Sequence, residues 1–169
     1  MHSTNMKDLL QRISRKAILL EELTFTPHQI KSDWLGNIPS TNTQILELEE
    51  RLGLPLPQDY KTFLSITNGF SAPCDIEPSF VNIANIDYLK NIDKNIVEAY
   101  NSVELERSIL VAGINEEQYF LLIPPVSSSG NWDYWKFANW IPGEESFENL
   151  YSYFSTVLEF LNTIDDNQE

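Results

Sequence analysis

The five residues Tyr119-Phe120-Leu121-Leu122-Ile123 leave a strand no polar face. Successive side chains of a strand point to opposite faces. A run of this composition must therefore be covered on both sides, which makes it a central strand and excludes an edge or solvent-facing one. Ser108 to Gly113 is a second apolar run, joined to the strand Gln118 to Ile123 by Ile114-Asn115-Glu116-Glu117, as expected of adjacent antiparallel strands. Beyond the turn-rich segment Pro124 to Asn131, an aromatic strand runs from Trp132 to Trp140 and is ended by Pro142-Gly143. Its residues 132, 134, 136, 138 and 140 share one face and 133, 135, 137 and 139 the other, so both faces carry aromatic rings. One short strand is expected within Phe80 to Leu89.

Helical patterns supply the covering layers. Met6, Leu9, Leu10, Ile13, Ala17 and Leu20 form one stripe of an amphipathic helix that should end before Pro27. Thr41 and Gln44 have capping-box spacing, Ile45, Leu48 and Leu52 follow on one face, and Gly53 can close that helix in a left-handed conformation. After Leu54-Pro55-Leu56-Pro57, Pro57 is suited to the first position of a new helix, with Tyr60, Phe63, Leu64 and Thr67 inward and Asn68-Gly69 at its end. Asp93 can cap a further helix, with Ile92 and Val97 as its staple and Tyr100 on the buried side. Phe147, Leu150, Tyr151, Phe154, Leu158 and Leu161 mark the last helix, with Asp165 onward a frayed acidic tail. The reading is a single-domain α+β fold, a mainly antiparallel sheet flanked by helices, which suits a chain of 169 residues.

Charge narrows the partners. Residues 1–40 hold five Lys or Arg against four Asp or Glu, whereas residues 41–169 hold six against 21. An acidic body repels phosphate backbones and anionic lipid surfaces, so no direct nucleic-acid or membrane binding is expected, and a basic protein would be steered toward it. The apolar run Ala17-Ile18-Leu19-Leu20 is too short for a signal segment and no run approaches a membrane span, which points to a cytoplasmic protein.

Chemistry-bearing constellations are absent from the sequence. His28 sits in a Pro-containing loop without an oriented partner for general-base work, and His2 lies near the terminus. Cys74 is the single cysteine, so no intrachain disulfide and no zinc-finger site can form, and no basic neighbour lowers its pKa. Ser127-Ser128-Ser129-Gly130 lacks the nucleophile elbow, and the six glycines are too dispersed to cradle phosphate. The pairs Glu49-Glu50, Glu116-Glu117 and Glu144-Glu145 diverge on either a helix or a strand, which places them poorly to flank one bond. No catalytic residue, no metal ligand and no cofactor is expected.

The stretch Ile38-Pro39-Ser40-Thr41-Asn42-Thr43-Gln44-Ile45, then Leu48-Glu49, Leu52-Gly53, Leu56-Pro57, Asp59-Tyr60, Phe63-Leu64 and Asn68-Gly69 resembles the signature of the SUKH superfamily, the Smi/Knr-like proteins. The resemblance covers about residues 34–162, leaving 1–33 as a helical extension packed on the domain and 163–169 as an acidic tail. Pro124-Pro125 departs from the pattern. The resemblance implies no enzyme activity and no cofactor, and in bacteria an immunity protein that neutralises a polymorphic toxin, often a nuclease or deaminase. Fungal relatives are regulators of cell-wall assembly. A basic toxin domain as protein partner would meet Asp75, Glu77, Glu116, Glu117, Trp132, Asp133, Trp135, Glu144 and Glu145, chosen for loop or turn position and charge. Packing is the first reading of Trp132, Trp135 and Trp140, and a protein-binding hot spot is the second.

Overall fold

The computed structural model describes residues 2–138 and 144–167, with side chains described from Asn5 onward. Its sheet consists of β1 (Asp87–Tyr88), β2 (Ile109–Ala112), β3 (Gln118–Ile123), β4 (Asp133–Ala138) and β5 (Glu144–Phe147), in that spatial order. Every neighbouring pair is antiparallel. The two-sided apolar run thus occupies the central strand, and its alternation sorts the core. Phe120 and Leu122 enter one cluster with Ile109, Val111 and Tyr134, while Leu121 and Ile123 enter a second with Leu110 and Phe137.

The first cluster is covered by α1 (His2–Leu20), α3 (Asn42–Leu52), α4 (Gln58–Ile66) and α8 (Leu150–Asp166). The second is covered by three short helices, α5 (Leu89–Ile92), α6 (Lys94–Tyr100) and α7 (Val103–Arg107), through Leu89, Val97 and Leu105. Fully burying each of these aliphatic side chains is worth roughly 1.5–3 kcal/mol. Three short helices therefore suffice to hold one face of β2 and β3. The helix α2 (Pro27–Ser32) buries no residue.

Local chemistry explains the joints. Thr41 and Gln44 form both bonds of the expected capping box, and Gly53 ends α3 at φ 78°. Asp93 caps α6 by accepting from Ile96 N–H at 3.2 Å, and its other oxygen accepts from the Tyr119 hydroxyl at 2.7 Å, which ties α6 to β3. Gly113, at φ 92°, begins the β2–β3 turn where an added Cβ would lie 1.8 Å from the Gln118 carbonyl oxygen, so the turn admits only glycine. Ser14 of α1 accepts from Leu35 N–H at 3.1 Å, and Leu10 and Ile13 are fully buried in the first cluster.

Several expectations are corrected. His28 lies in α2, not in a loop: Thr26 and Gln29 form a second capping box, the signal that also marks α3, and Pro27 stands in the first turn. Pro57 is the cap of α4, one position before its expected place. Tyr100 is 44% exposed and not inward. Phe147 belongs to β5 because Asn149 caps α8, and the buried stripe of that helix runs through Tyr153 and Val157, leaving Tyr151 43% exposed at its rim. α8 continues through Asp166, where a frayed tail was expected, and Lys16 bonds Asp165 near its end. The expected strand end at Trp140, its Pro142-Gly143 terminator and the side chain of His2 lie outside the described residues.

Candidate functional site

The most distinctive residues of the α3–α4 segment are occupied in joining elements. Asp59, in the first turn of α4, accepts from the Tyr134 hydroxyl of β4 at 2.5 Å, from Leu150 N–H of α8 at 2.8 Å and from its neighbour Tyr60 N–H. Burial, and then this carboxylate, hold the Tyr134 phenol above its usual range, so it stays the donor. Asn68 accepts from Ile83 N–H at 2.7 Å, and the Arg51 guanidinium donates to the carbonyls of Ile86 and Ile83. Asp59→Ala should therefore lower the unfolding free energy by about 2–3 kcal/mol, since three donors lose a charged acceptor. A urea midpoint that does not move would refute this reading of Asp59.

The sequence-suggested contact residues fall into separate places. Asp75, Glu116, Glu117, Glu144 and Glu145 gather at the end of the sheet where β2 turns into β3. The Asp75 carbonyl accepts from the Gln118 side chain, and the Glu116 carboxylate accepts from Ser79 N–H at 3.0 Å. Gln118 pairs with Ala138, and Glu144 with Phe137, at this same end. Asp133 pairs with Ile123, five strand steps and roughly 17 Å away. Asp133 and its neighbour Trp132 therefore belong to the opposite end, and Trp132 packs against the first cluster.

Glu77 needs a correction, because it is buried and cannot serve as a surface contact. Only 8% of its side chain is exposed, its Oε1 accepts from Lys136 Nζ at 3.0 Å and its Oε2 from the Tyr153 hydroxyl at 2.7 Å. Burial pushes its pKa up against the opposing charge of Lys136 and these hydrogen bonds. Burial likewise pushes the neighbouring Cys74 thiol up to about 11, the wrong direction for a thiolate nucleophile.

Among the concave regions of the described residues, two bear on the residues above. A cavity of ≈ 560 Å³ lies where α1, α4 and α8 meet, lined by Met6, Gln58, Thr62, Asn149 and the already bonded Asp59. A smaller groove of ≈ 290 Å³ lies on the second face of the sheet, between α6–α7 and the β4–β5 pair, lined by Tyr100, Ser102, Glu104, Trp135, Phe137 and Glu144. It unites Trp135 and Glu144 of the suggested set with Tyr100 and Glu104, which the sequence reading missed. The sequence pattern puts Tyr100 inward, and Glu104 belongs to a five-residue helix too short for a periodic signal. Among the described residues, no group of three or more His, Cys, Asp or Glu side chains could hold a metal ion.

The model of the SMI1/KNR4 family (SUKH-1) matches residues 39–163. The chain belongs to this family. No curated protein matches the chain. In this SUKH-1 chain the match takes in α3 to most of α8 and the whole sheet, so the Asp59, Asn68 and Arg51 joints lie inside it. It omits α1, although Met6, Leu9, Leu10, Ile13 and Ala17 of α1 are buried in the shared core. No described helix is long and apolar enough to cross a membrane. Family membership places the chain among SUKH-type immunity or Smi1/Knr4-like proteins, and so among proteins that act by binding another protein.

Proposed function

We propose that this SUKH-1 chain is a cytoplasmic immunity protein that binds a cognate toxin domain, of nuclease or deaminase type, and occludes its basic surface without catalysing a reaction. One observation carries the reading. Residues 41–169 hold 21 Asp or Glu against six Lys or Arg, and Asp75, Glu116, Glu117, Glu144 and Glu145 stand exposed together at one end of the sheet. Toxins that cut or edit nucleic acid need cationic clefts to hold phosphates, and such a cleft is complementary to this surface.

Co-expression with the toxin encoded by the neighbouring gene tests the proposal. It should restore growth, and the purified pair should associate at least about tenfold more slowly at high than at low ionic strength, as steering by distributed charge requires. A chain that neither binds nor protects would sink the immunity reading. Recovery of only an endogenous regulatory partner would put a scaffold role in its place.

A further inference from the structure

We infer that the groove between α6–α7 and the β4–β5 pair receives an arginine side chain of the partner protein, its guanidinium plane lying on the Trp135 and Tyr100 rings and its charge facing Glu104 and Glu144. The inference rests on the protein-binding reading above and names the anchor it uses. Tyr100 and Phe137 meet edge to face, ring centroids 5.0 Å apart at 82°, and Trp135 projects from the same face of β4 as Phe137. Tyr100 is left half open at the rim. Tyr100 and Trp135 thus make an aromatic surface above the buried Phe137 that folding alone leaves partly uncovered.

Two carboxylates of the groove make no ion pair, whereas several acidic residues of the helices do. Glu98 pairs with Lys94, Glu106 with Lys90 and Glu49 with Lys61. Among the described residues neither Glu104 nor Glu144 has a Lys or Arg within ion-pair distance. Arg107, three residues from Glu104, donates to the carbonyls of Pro124 and Val103 and reaches Glu104 only through its charge, without an ion pair. The Ser102 hydroxyl donates to Glu104 Oε2 at 2.8 Å, which fixes this carboxylate beside the rings and holds its pKa below the usual range. A flat, weakly hydrated cation that stacks on rings and donates from its edge to carboxylates fits that arrangement, whereas a compact, strongly hydrated ammonium does not. A volume of ≈ 290 Å³ falls at the bottom of the range for small-molecule pockets, about 300–1,000 Å³, and suits one long side chain.

Hexa-arginine and hexa-lysine peptides are the probes, titrated into the whole protein while the tryptophan indole N–H resonances are followed by NMR, with Trp135 assigned through Trp135→Phe. Hexa-arginine should shift the Trp135 indole saturably and bind at least about threefold tighter than hexa-lysine. The double variant Glu104→Gln/Glu144→Gln should weaken it about tenfold, whereas Asp75→Asn/Glu117→Gln, an equal loss of charge at the sheet end, should change it by no more than about twofold. Equal affinity for the two peptides, an unmoved Trp135 signal, or equal weakening by both double variants would overturn the groove. Full protection from the toxin by Glu104→Gln/Glu144→Gln would also overturn it and leave immunity standing. Failure of the unmodified chain to protect would remove the immunity reading, while an arginine-selective titration would still support the groove.

Discussion

Lys136→Ala should cost about 3–5 kcal/mol of folding stability, because it leaves a carboxylate buried without its cation. Lys136 points from β4 into the first cluster, 8% exposed, with its ammonium 3.0 Å from Glu77 Oε1. Once it is removed, the Tyr153 hydroxyl is the one side-chain donor left to Glu77 among the described residues. Glu77 must then stay charged in an aromatic surrounding or take up a proton. The sign of the pH dependence follows from the direction of its pKa. Glu77 is raised in the folded protein, chiefly by burial. Between the ordinary glutamate value and the raised one, the folded state therefore holds a proton that the unfolded chain has released, and stability from this group falls as pH rises through the raised pKa. Loss of Lys136 pushes Glu77 further up, so the deficit should be largest at neutral pH and shrink on acidification toward the ordinary carboxylate range. The double replacement Glu77→Leu/Lys136→Met should cost far less than the single one, since it removes both desolvation penalties together. Urea unfolding of the three proteins at two pH values measures this. A single-variant deficit below about 1 kcal/mol at neutral pH would show that the pair is more hydrated than its burial implies.

The same pair shows where sequence reading stops. Lys136 and Glu77 lie 59 residues apart, and no local pattern brings a loop carboxylate to the inner face of an aromatic strand. Charge and loop position placed Glu77 on the surface, and long-range packing placed it inside. Features that depend on near neighbours were legible: the capping box of Thr41, the closing Gly53, the capping role of Asp93 and the central place of Tyr119 to Ile123. Thr26 and Gln29 carry the same spacing as Thr41 and Gln44, but α2 buries no residue, so its capping signal stands without an apolar stripe beside it. The helices α5 and α7, of four and five residues, are held by tertiary packing of Leu89 and Leu105 and have no period to detect. The groove was half legible. Trp135 and Glu144 stood out by type, but the side of the sheet they share with Tyr100 and Glu104 follows from β4–β5 register and from where α6 and α7 lie.

Phe80→Ala should destabilise the protein by about 3–5 kcal/mol, toward the upper end because its surroundings cannot collapse into the space. The Phe80 ring lies 5.2 Å from that of Phe63, 5.4 Å from Phe120, 5.9 Å from Tyr153 and 5.2 Å from Phe154. Those four rings are fixed by three different elements, α4, β3 and α8, so a shift toward the vacancy by one would pull it from its own contacts. The Phe80 backbone is held as well, exchanging both hydrogen bonds with Phe70, at 2.8 and 3.0 Å, and bridging to Ala112 beyond. A truncated side chain therefore stays in place and the cavity remains. Phe80→Leu, which refills most of the volume, should cost only about 1–2 kcal/mol. Both losses should appear as shifts in the urea midpoint at constant slope, measured at low temperature where the weaker variant is still folded. Phe80 belongs to the first cluster, and Phe137 and Trp135 to the second, on the other side of the sheet. Folded Phe80→Ala should therefore bind hexa-arginine within about twofold of the unmodified protein, because sites without shared partners act additively. A variant that is folded yet no longer perturbs the Trp135 indole would mean that the two faces of the sheet are mechanically coupled, and that the groove is shaped by the aromatic core beneath it.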